Sequence, residues 1–294
     1  MTGERTAKKD RDPIFTICLG IFLVAAVIAL GSFVVNEFFP TSDTTASTGD
    51  TVTVDYVGTY YDEYGSEYAV VFDTNKSSVG DDDDIQKSND YTKKTSYSGL
   101  SFTIGSGTML EGFEKSVIGH KVGDTFKVEL TGNQGYVGPD TSGTMLTTGN
   151  VVSSTHEISA TQFKTLYPDV TLSDNSVVMF ESVYGMEAQA QYSNSKNSVL
   201  ITYFPEKGES YEVYKEGDTT VNFKCTDVGD TLTFDIIISN PVTVGSDGEI
   251  QMIKLELEEN IYITAINGSE ISYKTGSEKI NQPLFFEITL TDIE

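Results

Sequence analysis

Hydrophobic residues are arranged in two different ways along this chain. Ile14–Val35 is a stretch of 22 residues without a charge, whereas the later apolar residues mostly alternate with polar ones. A helix that crosses a bilayer needs about 20 predominantly apolar residues, and alternation with a period of two is typical of half-buried β-strands. The pattern therefore predicts one membrane-spanning helix followed by a mainly β globular portion.

The charges on either side of the apolar stretch predict its orientation. Residues 1–13 carry four basic side chains, whereas an acidic portion follows the stretch. Because basic residues concentrate on the cytoplasmic side of membrane spans, we expect a cytoplasmic tail at 1–13, a transmembrane helix at 14–35 and a polar linker at 36–48. The bulk of the chain would then be extracytoplasmic. A cleaved signal peptide is the alternative, although the apolar core of such a peptide is normally about 7–15 residues long.

The first half of the globular portion is expected to form strands around one short helix. Val52, Val54 and Tyr56 alternate with polar residues, as in a strand with one buried face, whereas Glu111–Ile118 has helical spacing. Predicted strands are Thr51–Tyr56, Ala69–Phe72, Leu100–Ile104 and Thr125–Leu130. The polar segment 74–99 is expected to be a surface loop. Its four aspartates, Asp81–Asp84, would either be solvated or bind a hard cation such as Ca²⁺.

The second half has the pattern of a separate, mainly β unit. Gly138–Ser154 is rich in Gly, Ser and Thr and is expected to form turns, and Ser159 is a candidate N-cap for a helix at Ser159–Tyr167. Ile253–Leu257 and Ile261–Ile266 either continue this unit or return to the first, and Leu284–Ile293 is the expected last strand. Further predicted strands are Ser176–Val183, Ser198–Phe204, Ser210–Tyr214, Thr219–Lys224 and Thr231–Ser239.

Composition and charge exclude several classes of function. The formal net charge is −25 over 294 residues, and such a surface repels phosphate backbones, so nucleic acid is not an expected partner. Cys18 lies in the apolar stretch and Cys225 far downstream, which leaves no disulfide framework. The two histidines and two cysteines have no zinc-ligand spacing. We therefore expect no cofactor and no metal site built from histidine or cysteine ligands.

Several short motifs occur in the order that is typical of one enzyme family. They are VDYVG around Tyr56, VFDT around Phe72 and Asp73, LSFTIG from Leu100, GTMLEGFE around Phe113, NQGY ending at Tyr136, and LFFEITL around Phe286. Taken together, these motifs resemble the FKBP-type peptidyl-prolyl cis-trans isomerases. The resemblance covers about 49–136 and 284–294, roughly a third of the chain.

The resemblance implies a fold and a site. The fold class is α+β, a twisted antiparallel sheet wrapped around one short helix, with an apolar pocket between them. The matching positions imply Tyr56, Phe72, Asp73 and Tyr136 as catalytic residues and Leu100, Met109, Leu110, Phe113 and Phe286 as substrate-binding residues. In this scheme Tyr136 donates a hydrogen bond to the peptide carbonyl, and Asp73 either interacts with the twisted amide or orients Tyr56. Leu100 stands where the family usually has an aromatic residue.

The distance in sequence between Tyr136 and Phe286 implies an insertion. SlyD-type and archaeal members carry such an insertion at the flap, where it acts as a chaperone domain that binds unfolded chains. We therefore expect an isomerase domain at 49–137 and 273–294 and an inserted mainly β domain at 138–272. The implied partners are proline-containing unfolded or partly folded polypeptides, together with the membrane through the N-terminal helix. The alternative is a catalytically weak FKBP-like binding or adhesion module of the cell envelope.

Overall fold

The computed structural model describes residues 44–244 and 249–294. The predicted transmembrane helix at 14–35, its cytoplasmic tail and most of the linker therefore lie outside the described residues. Within the described ranges, none of the helices combines the length and the apolar character that a bilayer crossing requires. Strands account for most of the regular structure that is described.

The first sheet is built around two long strands at opposite ends of the described chain. It comprises β1 (Thr51–Tyr60), β2 (Val70–Thr74), β3 (Leu100–Thr103), β4 (Thr125–Leu130) and β17 (Leu284–Ile293). One edge of β1 pairs with β17, which in turn pairs with β4, while the other edge pairs with β3 in its first half and β2 in its second. All of these pairs are antiparallel, so a strand formed by the last residues closes a sheet formed by the first.

Three short α-helices accompany the described strands, namely α1 (Ser77–Gly80), α2 (Glu111–Ser116) and α3 (Ala160–Leu166). Helix α2 covers one face of the first sheet and buries Phe113 there. Gly112 allows its close approach, since a Cβ atom at that position would lie 2.5 Å from Leu130 Cδ2 on β4. Helix α3 begins at the expected cap, where the Ser159 hydroxyl accepts a hydrogen bond from the Gln162 amide.

The polar segment 74–99 is not the free surface loop that we expected. Helix α1 buries Val79 against Val57 and Val71 on the face of the first sheet that is opposite to α2. Backbone hydrogen bonds from the Val71 amide to Gln86 and from the Ser88 amide to Val71 fasten the segment to β2. The expectation was wrong because a few apolar residues, widely spaced among polar ones, are enough to bury one side of an irregular segment.

The region between the first sheet's β4 and β17 contains three further sheets, each of four antiparallel strands. The second sheet consists of β7 (Thr155–Ser159), β10 (Ser198–Tyr203), β9 (Glu187–Ser193) and β8 (Val177–Glu181). The third consists of β11 (Ser210–Glu216), β12 (Thr219–Val228), β13 (Thr231–Ser239) and β6 (Asn150–Ser153). The fourth consists of β14 (Glu249–Glu256), β15 (Asn260–Asn267), β16 (Glu270–Thr275) and β5 (Ser142–Leu146).

Two expectations for this inserted region are corrected by the strand pairing. Gly138–Ser154 is not only turns, because it contains β5 and β6, which pair with β16 and β13 at the edges of two sheets. Edge strands are held by backbone hydrogen bonds and need no apolar side chains of their own. Ile253–Leu257 and Ile261–Ile266 do not return to the first sheet, since β14 and β15 pair with each other in the fourth. That sheet extends to Thr275, beyond the expected limit at residue 272.

The two ends of the inserted region lie side by side. The Asn281 amide donates to the Tyr136 carbonyl over 2.9 Å, and the Asn281 side chain donates to the Gly138 carbonyl over 3.2 Å. A little further out, the Thr141 hydroxyl donates to the Thr275 carbonyl over 2.6 Å. The chain thus leaves and rejoins the first sheet through one narrow connection.

Candidate functional site

Four aromatic rings, from Tyr56, Phe72, Phe113 and Phe286, pack together between the first sheet and helix α2. We call them the aromatic cluster. Ring centroids are 5.0 Å apart for Phe113 and Phe286, 5.5 Å for Phe72 and Phe286, and 5.8 Å for Tyr56 and Phe113. All three pairs cross nearly edge to face, the favoured geometry for aromatic rings. Each of the four residues is buried, so they form an apolar wall that belongs to both the sheet and the helix.

A bulge in β2 explains how two successive residues serve this site. Gly58 pairs with Asp73 and Thr59 with Val71, so Phe72 is the extra residue of a β-bulge. In a regular strand, neighbouring side chains point to opposite faces, and a bulge re-aims one of them. Phe72 therefore joins the aromatic cluster while Asp73 reaches Tyr56.

Gly58 opens the space that the two phenylalanine rings occupy. A Cβ atom at this position would lie 2.7 Å from Phe72 Cζ and 2.8 Å from Phe286 Cε1, closer than real contacts allow. The absence of a side chain at Gly58 thus lets both rings lie directly on the backbone of β1. No other amino acid fits there without moving a ring.

The polar group of the site is a pair formed by Tyr56 and Asp73. The Tyr56 hydroxyl donates to Asp73 Oδ2 over 2.7 Å, while Lys94 Nζ lies 2.8 Å from Asp73 Oδ1. Lys94 Nζ also donates to the Tyr56 oxygen over 3.2 Å and lies 5.3 Å from the centre of its ring. Burial, followed by the hydrogen bond to Asp73, raises the pKa of Tyr56 far above its ordinary value. Tyr56 is therefore a proton donor throughout the physiological range.

Asn75 fixes the backbone on which Tyr56 stands. Its side-chain oxygen accepts from the Tyr56 amide over 2.7 Å, and its side-chain nitrogen donates to the carbonyls of Val54 and Ser98. The Thr74 hydroxyl adds a bond of 2.7 Å to the Tyr56 carbonyl. This network ties β1, the end of β2 and the segment 74–99 together at the site.

Tyr136 lies at the rim, more exposed than the aromatic cluster. Burial and the charge of Asp73 raise the pKa of Tyr136, so its hydroxyl keeps its proton near neutral pH. Among the described residues, none accepts a hydrogen bond from this hydroxyl, and Lys279 Nζ lies 5.8 Å above the ring. The hydroxyl is thus available to a bound molecule, as a donor to a peptide carbonyl must be.

A tight turn before helix α2 positions Met109 and Leu110. The buried carboxylate of Glu114 accepts hydrogen bonds from the Ser106 amide and hydroxyl and from the Gly107 amide, at 3.1–3.3 Å. Gly107 adopts a positive φ of 72°, which favours glycine. Met109 and Leu110 follow this turn and pack, partly exposed, against the core that contains the aromatic cluster.

Leu100 packs on the same core from β3, where it pairs with Val54 of β1. The structure therefore gathers all nine residues that were singled out from the sequence around one side of the first sheet. Their separate roles in catalysis and binding remain predictions.

Three further residues at the site were missed by the sequence reasoning. Tyr60 is fully buried and stacks on Phe72 with centroids 4.7 Å apart, although it lies at an even spacing from Tyr56 that the strand pattern could have signalled. Lys94 and Lys279 come from irregular segments. Lys279 Nζ lies 5.9 Å above the Phe72 ring in addition to its place above Tyr136.

The described residues contain no grouping of three or more His, Cys, Asp or Glu side chains that could hold a metal ion. The four aspartates Asp81–Asp84 are exposed in this structure, and Asp81 pairs with Lys93 over 3.2 Å. Cys225 is buried and free, and burial raises the pKa of its thiol. The candidate site itself offers apolar walls, hydrogen-bond donors and the ion pair of Asp73 with Lys94.

Such an arrangement suits rotation about an amide bond. The barrier for an X-Pro bond, about 18–20 kcal/mol, arises from amide resonance, and no bond has to be made or broken to cross it. A dry apolar wall disfavours the polar planar amide relative to the twisted one, which is less conjugated. In the predicted mechanism, a donor such as Tyr136 holds the peptide carbonyl while the bond turns.

Comparison with known proteins agrees with this chemistry. The family model for FKBP-type peptidyl-prolyl cis-trans isomerases matches residues 42–172. A search of curated proteins found no match. The matched range includes β1 to β4, helix α2 and Tyr136, and it runs on into the first strands of the inserted region. Together with the aromatic cluster and its polar pair, the match shows that the chain carries an FKBP-type peptidyl-prolyl cis-trans isomerase domain.

Proposed function

We propose that this isomerase is a membrane-anchored, extracytoplasmic folding catalyst whose inserted region holds unfolded client chains. One observation carries the client-binding part of the proposal: a second apolar cavity, separate from the aromatic cluster, lies inside the inserted region. An enzyme that only turned over short peptides would need the first surface alone. Folding of secreted proteins can be limited by X-Pro isomerisation, which takes tens of seconds or longer.

The second surface is a cavity of about 430 Å³ where the three inserted sheets meet. We call it the three-sheet cavity. Its walls include Val152 of β6, Phe234 of β13, Leu255 of β14 and Ile263 of β15. A volume of this size accepts one or two large apolar side chains, which an unfolded polypeptide exposes and a folded one buries.

A polar network around Glu258 lies at the wall of the three-sheet cavity. Glu258 accepts a hydrogen bond of 2.5 Å from the Tyr203 hydroxyl, and its other oxygen lies 2.6 Å from His156 Nδ1. Both carboxylate oxygens therefore have partners within the protein, and the rest of the lining is mostly apolar. The cavity is suited to apolar side chains of many sequences rather than to one charged ligand.

The membrane anchor rests on the sequence of residues 1–48. An uncharged stretch of bilayer length, preceded by basic residues and followed by an acidic portion, supports a single span with a cytoplasmic N-terminus. Protease added to intact cells should then digest the globular portion and leave residues 1–12 protected. A mature protein that begins after residue 35 would contradict the anchor.

Client binding can be tested at an exposed wall of the three-sheet cavity. Val152→Glu places a charge in the cavity and should weaken suppression of aggregation of an unfolded model protein, while isomerisation of a short peptide is retained. Val177→Glu on β8 is the matched control, because Val177 is equally exposed and does not line the cavity. Equal suppression by the two variants would show that clients bind elsewhere.

A further inference from the structure

Two lysines lie against the rings of the isomerase site. Lys94 Nζ lies 5.3 Å from the centre of the Tyr56 ring, and Lys279 Nζ lies 5.9 Å and 5.8 Å from the rings of Phe72 and Tyr136. The chain has only 19 basic residues against 44 acidic ones. Two positive charges at one apolar site are therefore unusual in a protein with a large negative net charge.

The two lysines differ in how their charges are balanced. Lys94 forms an ion pair of 2.8 Å with Asp73, so its charge is already neutralised within the site. Lys279 forms no ion pair with any of the described residues. The carboxylate next to it in sequence, Glu278, is turned towards the Asn89 side chain and the Asp90 amide instead. Lys279 thus brings an uncompensated positive charge to the rim.

The backbone around Lys279 is held firmly on both sides. Glu278 is buried, and the buried Lys274 ammonium donates to the carbonyls of Glu278 and Ile280 at 2.6 and 3.1 Å. The Asn281 amide then donates to the Tyr136 carbonyl over 2.9 Å. These bonds fix the start of the Lys279 side chain beside the site, while its ammonium group remains free to meet a ligand.

We propose that Lys279 binds the carboxylate of an acidic residue directly before or after the substrate proline, so that the enzyme favours acidic residues at one of these positions. A peptide whose prolyl bond turns over the aromatic cluster passes Phe72 and Tyr136, the two rings beneath this ammonium. An ammonium held only by ring faces gains a charged partner when such a peptide binds. This specificity rests on the proposed use of the pocket for X-Pro peptides.

The expected preference is modest and depends on salt. A partly exposed ion pair changes affinity by up to about fivefold, and added salt screens it within about 10 Å at 0.1 M. The net charge of −25 works in the opposite direction, since it repels acidic peptides. Any preference for Glu over Gln must therefore come from a local cation.

The test compares Glu with Gln in peptides that are otherwise identical. Exchange NMR gives kcat/KM for Ala-Xaa-Pro-Phe and for Ala-Ala-Pro-Xaa with the full chain, for Lys279→Met and for Lys279→Glu. Lys196→Glu, in the turn between β9 and β10, is the control for a change of total charge. We expect a Glu-to-Gln ratio of about two to five at one position, a ratio near one in Lys279→Met and a reversed preference in Lys279→Glu.

The outcomes distinguish a failure of the proposed role of Lys279 from a failure of the proposed isomerase pocket. Turnover of all peptides with a Glu-to-Gln ratio near one at both positions would overturn the role of Lys279 and leave the isomerase pocket intact. A ratio that persists in Lys279→Met would overturn it as well. Absence of turnover for every peptide would instead contradict the proposed use of the pocket.

Discussion

The hydroxyl of Tyr56 donates a 2.7 Å hydrogen bond to the carboxylate of Asp73 across two neighbouring strands. The bulge at Phe72 makes this bond possible, because it turns Asp73 towards the same site as the aromatic ring that precedes it. The Phe-Asp pair of the VFDT motif therefore acts as one unit, with an apolar member in the wall and a charged member at its edge. This geometry supports the view that Asp73 orients Tyr56.

Removal of the Tyr56 hydroxyl tests that link. Tyr56→Phe keeps the ring in the aromatic cluster and leaves Asp73 with Lys94, so we expect the free energy of unfolding to fall by only about 1 kcal/mol, and kcat/KM to fall measurably. Urea unfolding and peptide isomerisation measure the two effects. Tyr214→Phe is the control, because it removes a hydroxyl that also bonds a carboxylate, Glu216, but lies on β11 of the inserted region and not in the aromatic cluster. If both variants have the same activity, the Tyr56–Asp73 bond has no part in catalysis.

The space above Gly58 is a second test of the pocket. Gly58→Ala would force the Phe72 and Phe286 rings to move, since both lie within 2.8 Å of the new methyl group. Overpacking of this kind typically lowers the free energy of unfolding by about 1–3 kcal/mol, and we expect a loss of isomerase activity with it. Gly229→Ala is the control, because a Cβ atom at that position would lie 3.7 Å from the Thr231 carbonyl oxygen, an ordinary contact distance. If Gly58→Ala leaves both the free energy of unfolding and the isomerase activity unchanged, the two rings are not packed on this backbone.

The narrow connection to the inserted region predicts that the two parts can be separated. Deletion of residues 142–275, with Thr141 joined to Gly276, should leave a folded isomerase core, because the hydrogen bond from Thr141 to Thr275 shows that the two ends already lie close together. We expect isomerisation of short peptides to survive and suppression of client aggregation to be lost. Circular dichroism and thermal unfolding report on folding of the remnant.

The remnant should nevertheless be less stable than the full chain. Asp90 in the segment 74–99 bonds Tyr262 over 2.8 Å and Lys254 over 3.0 Å, and Asn89 bonds the Met252 carbonyl over 2.7 Å. The deletion removes all three partners. A remnant that does not fold would show that the first sheet depends on the inserted region.

The buried Lys274 predicts a change of stability at alkaline pH. Burial lowers the pKa of Lys274 to about 8, against 10.5 for a free lysine, although the charges of Glu278 and Asp90 act in the opposite direction. Between these values the unfolded chain binds the proton and the folded chain does not, so folding gains stability as the pH rises. Relative to Lys274→Met, the wild type should therefore become more stable from pH 8 to 10.5.

Urea unfolding at several pH values measures this difference. Lys196→Met, a substitution in a surface turn, provides the matched control, and its difference from the wild type should stay constant over the same range. A constant difference for Lys274→Met as well would show that the Lys274 ammonium is not desolvated in the folded protein.

Much of the site could be predicted because its residues lie in short motifs with a clear strand pattern. Tyr56 and Phe286 occupy buried positions of alternating strands, Phe72 belongs to a short apolar strand, and Phe113 follows the turn before the short helix. Lys94 and Lys279 could not be predicted, because they come from segments with no periodicity. Lys94 is held by Asp73 and Tyr56, and Glu278, next to Lys279, is bonded by Asn89 from the other end of the chain.

Some strands of the inserted region were not predicted, for a different physical reason. β5 and β6 lie at sheet edges and carry mostly exposed or partly exposed Ser, Thr, Asn and Val residues, so no apolar face marks them. In β9 the buried positions are Ala188 and Ala190, whose small side chains give little contrast with the glutamines between them. These segments become strands because their backbones pair with neighbouring strands, and a single sequence does not show which strand the partner is.

The most direct test of the central claim is the activity of Tyr136→Phe. This variant keeps the ring and deletes one hydroxyl for which no described residue is an acceptor, so folding should be unchanged. If Tyr136 donates to the peptide carbonyl, the lost hydrogen bond of about 0.5–1.5 kcal/mol lowers kcat/KM for an X-Pro peptide by roughly two- to twelvefold. Exchange NMR measures kcat/KM for the full-length wild type and for Tyr136→Phe under the same conditions. An active wild type with an equally active Tyr136→Phe would contradict catalysis in this pocket by the mechanism derived above.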